Sequence, residues 1–242
     1  RYSMPWSKPA ARMREMVQAI RAIFANWYDG EELNFEGEFY THTLMTPMFT
    51  PTNTEHGKPP ILVAGVGPLM TEAAGACADG LLVHAFTTEA YLRQHTLPHL
   101  KAGLASENRQ PKDCRVSYGP FIVTGTTEEE FKKTRKEVAD RIAFYGSTPA
   151  YRRVLEVHGW GELQTELRDL TKQNRWGEMY ELIDDEVIKT FAVVGEIKDI
   201  APEIWRRYGD IADDLSIPRV VADEPLSEIV AELRRLASSS KG

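Results

Sequence analysis

The chain has few cysteines, no long hydrophobic run and no extended block of basic residues. Its two cysteines, Cys77 and Cys114, are too few for a disulfide framework and lack the spacing of a metal site. No segment approaches the roughly 20 apolar residues that a membrane-spanning helix needs, and no secretory signal is apparent. The net charge of −7 argues against nucleic acid as the main partner. These absences favour a cytoplasmic protein that binds a small-molecule substrate rather than nucleic acid or a membrane.

Common catalytic motifs are missing as well. The chain contains no Gly-x-Ser-x-Gly nucleophile elbow, no Walker phosphate loop and no His-Glu-x-x-His zinc motif. His95 and His99 have the spacing of a metal-binding pair, but Pro98 lies between them and no third ligand is apparent. We therefore predict no metal site. With 242 residues, 42% of them apolar and 27% charged, the chain can bury a sizeable core.

The most informative segment, residues 59–84, predicts a strand, a glycine turn, a helix and a second strand. Residues 61–64 are continuously apolar, as in a strand covered on both faces. Gly65 and Gly67 permit a tight turn and a close approach of the backbone to a ligand. Pro68 suits the first position of the following helix, whose unpaired N–H groups favour a phosphate. The segment therefore indicates a βαβ unit with a candidate anion site.

The glycine turn has other interpretations. Glycines after a strand often serve the turn alone, without any ligand. A nicotinamide dinucleotide site is disfavoured, because its fingerprint requires a third glycine where this chain has Met70. The spacing of the residues leaves the phosphate site and the simple turn open.

The alternation of strand and helix recurs along the chain. It indicates an α/β fold with a parallel sheet and right-handed crossovers. The predicted strands are residues 60–64, 80–85, 115–124 and 211–217. Short helical patterns over residues 146–194 interrupt the alternation and form a predicted insertion. Four strand–helix units are half of an eight-stranded barrel.

Local signals predict further elements. Apolar residues at three- and four-residue steps predict a helix over residues 9–27, and alternating residues 33–40 predict a hairpin. Thr87 or Thr88 is the expected N-cap of a helix over residues 88–104. The adjacent Arg206 and Arg207 are interpreted as partners of a helix dipole, with phosphate binding as the alternative.

Five segments resemble one protein family: residues 59–68, 73–80, 145–152, 158–160 and 193–197. Through them the chain resembles the C-terminal two-thirds of a luciferase-like monooxygenase superfamily protein, in the branch that uses the deazaflavin coenzyme F420. The resemblance implies a (β/α)8 TIM barrel. This chain would be a single partial-barrel domain over residues 1–242 that holds strands five to eight, with residues 146–194 as a helical insertion after strand seven.

The resemblance also implies that barrel strands one to four are not in this chain. Those strands would carry the family's acid/base groups, so the catalytic residues are unknown from this sequence. Because Arg1 is not an initiator residue and the chain would begin just after family strand four, we expect a fragment. The alternatives are a second chain that supplies the other half and a reduced relative with a different closure. A homo-oligomer is also expected.

Candidate site residues follow from the resemblance and from position. Ala64, Gly65, Val66 and Gly67 match the family segment whose backbone approaches the cofactor's phosphate and side chain, so cofactor binding is expected there. His84 ends a predicted strand, where a barrel presents its functional residues, and is a candidate acid/base or substrate-binding group. The alternative for His84 is a packed core or rim histidine.

Three more residues are candidates for substrate binding. Phe86 follows His84 and can line the mouth of the barrel. His158 and Trp160 lie in the predicted insertion and can form a lid over substrate. Taken together, the expected function is hydride transfer between F420 and an unknown small organic substrate. The alternatives are an FMN-dependent luciferase-like monooxygenase and a non-catalytic half-barrel relative that binds a ligand or dimerises.

Overall fold

The computed structural model describes residues 7–218 and 222–239, so the expectation built on Arg1 lies outside the described residues. The chain divides into two compact units. The first unit comprises residues 1–82 and 96–115, and the second comprises residues 83–95 and 116–242. The prediction of a single domain stays a prediction.

The strands are short and the helices dominate. The α-helices are α1 (Pro9–Phe24), α2 (Pro68–Cys77), α3 (Glu89–Tyr91), α4 (Leu97–Ser106), α5 (Glu128–Gly146), α6 (Arg152–Glu156), α7 (Gly161–Lys172), α8 (Asp185–Phe191), α9 (Ile197–Tyr208) and α10 (Asp223–Ser239). The strands are β1 (Phe35–Glu36), β2 (Thr41–His42), β3 (Leu62–Gly65), β4 (Gly80–Val83), β5 (Arg115–Tyr118), β6 (Phe121–Val123), β7 (Ala192–Val194) and β8 (Asp214–Leu215). No helix in the described part of the chain combines the length and the apolar character that a bilayer crossing requires.

The first unit contains the predicted βαβ segment. β3 and β4 are neighbours in a sheet, and α2 connects them in the chain. The helices α2 and α4 cross closely because Gly75 and Gly103 leave no side chain between the two backbones. Arg109 fixes the end of α2, since its guanidinium donates to the carbonyl oxygens of Gly75 at 2.6 Å and Ala78 at 2.7 Å. The helix that follows the glycine turn is therefore held rigidly.

The predicted hairpin also lies in the first unit. β1 and β2 pair antiparallel, with Phe35 opposite His42. The Glu15 carboxylate on α1 accepts backbone N–H groups from Phe39 at 2.6 Å and from Tyr40 at 2.7 Å. This carboxylate fastens the hairpin turn to α1. The predicted hairpin is present, but its second strand, Thr41–His42, lies beyond the predicted residues 33–40.

The second unit holds two pairs of parallel strands and most of the helical segments. β5 pairs with β8, and β6 pairs with β7. Its core is built from fully buried side chains of the strands and of the helices between β6 and β7, among them Val123, Ile142, Leu155 and Phe191. The predicted α/β class, with parallel strands and helices, is therefore confirmed.

Two predicted strands are wrong in extent. Residues 115–124 do not form one strand but two, β5 and β6, because Gly119 and Pro120 separate them and proline has no N–H for a ladder hydrogen bond. Residues 211–217 shorten to the two residues of β8. In addition, residues 192–194 were assigned to the helical insertion, whereas they form β7 beside β6.

The predicted helix over residues 88–104 is interrupted. A π-helical turn, Leu92–Thr96, separates α3 from α4. Pro98, the second residue of α4, has no N–H for the carbonyl four residues earlier, which accounts for a widened turn at this point. Thr88 is the N-cap, and its hydroxyl accepts the N–H of Tyr91 at 3.2 Å. The capping prediction is therefore confirmed and the continuous helix is not.

Candidate functional site

The glycine turn of the first unit leads from β3 into α2. Gly67 is the N-cap of α2, and it supplies no side chain to cap the helix. Pro68 occupies the first helical position, and the first turn carries no acidic residue. By contrast, α5 begins with a Thr127 cap followed by acidic residues in its first turn. The N–H groups in the first turn of α2 therefore have neither a capping side chain nor an acidic side chain of that turn beside them.

The two glycines of this turn differ in what the fold requires of them. A Cβ atom at Gly65 would lie 3.3 Å from the Thr71 nitrogen and 3.4 Å from a Leu81 methyl carbon, so packing favours glycine there. A Cβ atom at Gly67 would meet nothing within 4 Å. Its φ of −84° is also open to any residue. Neither strain nor packing explains Gly67, and open space beside its backbone suits the approach of a ligand.

The neighbouring candidates of the turn differ in exposure. Ala64 is exposed on β3, Gly65 is buried, and Val66 and Gly67 are half-buried. Leu69, in the first turn of α2, has a large apolar side chain that is 67% exposed. The surface beside the turn therefore combines backbone N–H groups with apolar side chains, which is the usual make-up of a small-molecule site.

In the second unit, His84 lies in an aromatic cluster at the end of β4. Its ring stacks on Tyr151 with centroids 5.2 Å apart, and the ring of Tyr145 meets it edge-on at 4.6 Å. Nδ1 of His84 accepts the backbone N–H of Phe86 at 3.0 Å. A neutral His84 therefore carries its proton on Nε2, which is available as a hydrogen-bond donor.

His158 is the second histidine of this unit with a defined environment. Its Nε2 lies 2.8 Å from the hydroxyl of Thr88, and its ring stacks on Trp160 with centroids 4.8 Å apart. The structure thus brings His158 and Trp160 together, and it fastens the segment after α6 to the N-cap of α3. Burial lowers the pKa of His158, as it lowers the pKa of His84.

Phe86 has a packing role in this structure. Its side chain is fully buried and its ring lies 4.6 Å from that of Phe191. A substrate contact through Phe86 stays a prediction, whereas its place in the core is directly visible. Tyr145 and Tyr151 were not singled out as site residues from the sequence, although both belong to the segment 145–152 that carried the family resemblance. Their place in that segment is the sequence feature from which both tyrosines could have been predicted as site residues.

The two histidines predict how stability depends on pH. Because their folded-state pKa values lie below the ordinary 6.5, the unfolded chain takes up these protons first as the pH falls. Their contribution is fully present above pH 6.5 and is lost as the pH falls through the lower folded values. We expect the urea midpoint to fall more steeply below that pH in the wild type than in the double variant His84→Asn and His158→Gln. These amides preserve the acceptors Nδ1 and Nε2 but do not titrate.

The control for this experiment is the exposed His56, replaced by asparagine. His56→Asn removes an exposed histidine whose neighbour is Glu55, and the steeper fall of the urea midpoint seen in the wild type should persist in this variant. An identical profile for the wild type and the double variant would contradict the assignment. Measurements at several salt concentrations separate this effect from general charge repulsion at low pH.

Metal ligation finds no support in the described residues. Among residues 7–218 and 222–239, no group of three or more histidine, cysteine or acidic side chains is placed to hold a metal ion. His99 instead pairs with Glu72 at 2.7 Å, and the ring of His95 stacks on Tyr91. Neither Cys77 nor Cys114 forms a disulfide bond. The i,i+4 histidines therefore have structural partners.

Comparison with known proteins gives the family. The family model described as luciferase-like monooxygenase matches residues 1–213. An uncharacterized protein of Mycobacterium tuberculosis is 44% identical over 236 residues, which cover 97% of this chain and 69% of that protein. A 5,10-methylenetetrahydromethanopterin reductase of Archaeoglobus fulgidus is 27% identical over 233 residues, covering 93% of this chain and 64% of the reductase.

Solved structures show the same fold. The coenzyme F420-dependent tetrahydromethanopterin reductase of Methanopyrus kandleri matches with a TM-score of 0.69 at 17% identity, over 96% of this chain and 64% of that structure. An F420-dependent secondary alcohol dehydrogenase in complex with an F420–acetone adduct matches with a TM-score of 0.63 at 15% identity, over 96% and 65% of the two chains.

A third solved structure is the EDTA monooxygenase of Chelativorans sp. BNC1. It matches with a TM-score of 0.58 at 16% identity, over 99% of this chain and 62% of the enzyme. The chain therefore spans somewhat less than two-thirds of the length of these solved enzymes. On the match of the family model and of the mycobacterial relative, this chain belongs to the luciferase-like monooxygenase family.

Proposed function

We propose that this protein is an F420-dependent oxidoreductase that transfers a hydride between the deazaflavin and a small organic substrate. Two of the solved neighbours are named as F420-dependent enzymes, and a third relative is named as a methylenetetrahydromethanopterin reductase. The observation that carries the proposal is Gly67, a glycine that neither packing nor backbone strain requires, at an uncapped helix N-terminus.

The residues of the glycine turn fit an anionic cofactor group. The partial positive charge at the start of α2 and the N–H groups of its first turn favour a phosphate. Ala64, Gly65, Val66 and Gly67 would hold the cofactor through backbone contacts, and the missing side chain at Gly67 leaves room for it. When bound, the deazaflavin supplies the hydride carrier, and the protein supplies orientation and exclusion of water.

The second unit supplies candidate groups for substrate. Nε2 of His84 can donate a hydrogen bond to a substrate oxygen, and a neutral imidazole can also accept a proton from a hydroxyl group. Tyr151 and Tyr145 hold the His84 ring in place. His158 and Trp160 form a stacked pair that can cover an apolar part of a substrate. We propose His84 as a substrate-binding residue and a candidate acid/base group.

The second candidate function is FMN-dependent monooxygenation. It is favoured by the likeness to a monooxygenase structure and by the match to the luciferase-like family model. We also propose that the protein forms a homo-oligomer. The exposed apolar side chains of Leu44, Met48 and Phe49 support this proposal, and analytical ultracentrifugation tests it.

The deciding experiment is titration of the intact protein with F420 and, separately, with FMN, followed by cofactor fluorescence. We expect micromolar binding of F420 and at least 10-fold weaker binding of FMN, a difference of about 1.4 kcal/mol. Tighter binding of FMN than of F420 would favour the second candidate function, FMN-dependent monooxygenation. If a well-folded protein bound neither cofactor, a non-catalytic relative would be the better account.

A further inference from the structure

A groove of about 400 Å³ in the second unit is lined by basic side chains from three elements. Arg93 comes from the π-helical turn after α3, Lys189 from α8, and Arg206 and Arg207 from α9. Glu89 is the one carboxylate among the described residues that line it. In a chain with a net charge of −7, this is a local concentration of positive charge.

The surrounding carboxylates do not neutralise the groove. Asp210 and Glu89 are both engaged by Arg93, at 2.9 Å and 3.1 Å. The single carboxylate of Glu203 forms ion pairs with two guanidinium groups, those of Arg206 at 2.7 Å and Arg207 at 2.6 Å. These two cations lower the pKa of Glu203 to about 2.

One cation of the groove has no carboxylate partner. Lys189 forms no ion pair with any residue of the described ranges. Asp185, whose pKa is lowered by Arg135 and to a smaller extent by Lys189, is paired with Arg135, and Asp210, Glu89 and Glu203 pair with the three arginines. Glu186 acts electrostatically on His158. The ammonium group of Lys189 is therefore the cation of the groove that an external anion can bind without displacing an ion pair of the described residues.

His158 is placed in the same groove as an oriented donor. The Thr88 hydroxyl oxygen already accepts the N–H of Tyr91, so its own proton is free to go to Nε2 of His158, 2.8 Å away. In the neutral tautomer that accepts this proton at Nε2, and in the protonated ring, Nδ1 of His158 carries an N–H for which the described residues offer no acceptor. Stacking on Trp160 fixes the plane of the ring.

We propose that this groove binds the dianionic phosphate group of a small phosphate monoester. Lys189 supplies an unpaired ammonium group, and the Nη1 of Arg206 has no acceptor among the described side chains, since Glu203 engages only its Nε and Nη2. Together with Nδ1–H of His158, these groups offer donors to the three terminal oxygens of a phosphate monoester from the lining of one groove. The volume lies in the range of small-molecule sites.

Helix-dipole compensation does not account for the whole cluster. Arg206 and Arg207 lie in the last turn of α9, where a cation is stabilising in its own right. Lys189 likewise lies in the last turn of α8, and His158 follows the last residue of α6 by two positions. Each helix dipole favours its own cation, but it does not account for the convergence of cations from separate elements on one groove, which an anionic ligand explains. The groove shares His158 with the proposed substrate site, but the phosphate site is inferred from the groove and is tested by binding rather than by oxidoreductase activity.

The test is calorimetric titration of the intact protein with inorganic phosphate and with glycerol 3-phosphate, with glycerol as the neutral probe. We expect both phosphates to bind and glycerol not to bind. The double variant Lys189→Ala and Arg206→Ala should weaken phosphate binding at least 10-fold. Both side chains are exposed, and Glu203 keeps Arg207 as its partner, so the variant should stay folded.

Two control variants locate the binding. Arg235→Ala removes an arginine that pairs with Glu232 at 2.7 Å in the same i,i+3 arrangement as Arg206 with Glu203, but outside the groove. This control should bind phosphate as the wild type does. Gly67→Asp blocks the start of α2 and should also leave this binding intact. The proposal is overturned if no phosphate binds, if the double variant binds normally, or if Gly67→Asp alone abolishes binding.

Discussion

Replacing Gly103 by alanine is expected to destabilise the first unit by about 3 kcal/mol or more, at the upper end of the range for overpacking. The new Cβ atom would lie 2.8 Å from the Cα and carbonyl carbon of Glu72, and closer still to its carbonyl oxygen. These are backbone atoms of α2, so no flexible side chain can move away. The gain in helix propensity from glycine to alanine, about 1 kcal/mol, offsets only part of this cost.

Urea unfolding measured by circular dichroism checks this prediction. Gly177→Ala is the matched control, because a Cβ atom at Gly177 meets nothing within 4 Å. Gly75→Ala places a Cβ 2.9 Å from the Leu104 nitrogen at the same helix crossing and should behave like Gly103→Ala. If Gly103→Ala unfolded at the urea concentration of the wild type, the close approach of α2 and α4 would be wrong.

This helix crossing also bears on function. α2 is the helix whose first turn follows Gly67, and α4 and Arg109 fix its position. A variant that pushes the two helices apart would displace the glycine turn as well. Substitutions at Gly67 itself test ligand binding without this loss of stability, because a side chain added there meets no other atom within 4 Å.

Much of the fold follows from short-range signals in the sequence. The apolar run before Gly65 and the proline after Gly67 predict β3 and α2 to within two residues. The acidic run Asp184-Asp185-Glu186 is typical of a helix N-terminus, and Asp184 caps α8, where its side chain accepts the N–H of Val187 at 2.8 Å. Such signals are local because the cap and the N–H it satisfies lie within one turn.

Elements that depend on distant partners could not be predicted in this way. β7 is a strand because it pairs with β6, about seventy residues earlier in the chain. The three residues of β7 carry no pattern of their own that separates a strand from a helix end. The shortness of β8 likewise depends on its pairing with β5 and not on its apolar residues.

The candidate site was predictable only in part. Position at the end of a strand singled out His84, but its environment of Tyr145 and Tyr151 comes from elements some sixty residues further on. The basic groove shows the same limit. Arg206 and Arg207 suggested a helix dipole, and only the fold brings Lys189 and His158 to the same place.

Replacing Gly67 by aspartate is expected to weaken F420 binding at least 10-fold without loss of stability. Aspartate is a favoured N-cap, so its side chain should satisfy N–H groups in the first turn of α2 and stabilise the helix by roughly a few tenths of a kcal/mol relative to glycine. The same carboxylate would lie where the proposed cofactor phosphate binds, and like charges repel. Binding and stability should therefore change in opposite directions, which a structural defect would not produce.

Gly67→Asn is the matched control for this substitution. Asparagine caps a helix about as well as aspartate and has nearly the same size, but it carries no charge. F420 fluorescence titration of the two variants thus isolates the electrostatic part, and added salt should narrow the difference between them. Equal affinities of Gly67→Asp and the wild type would show that the N-terminus of α2 holds no anionic group. Equal losses in both variants would point to a steric role of Gly67, in which the open space beside its backbone, rather than the helix dipole, admits the cofactor.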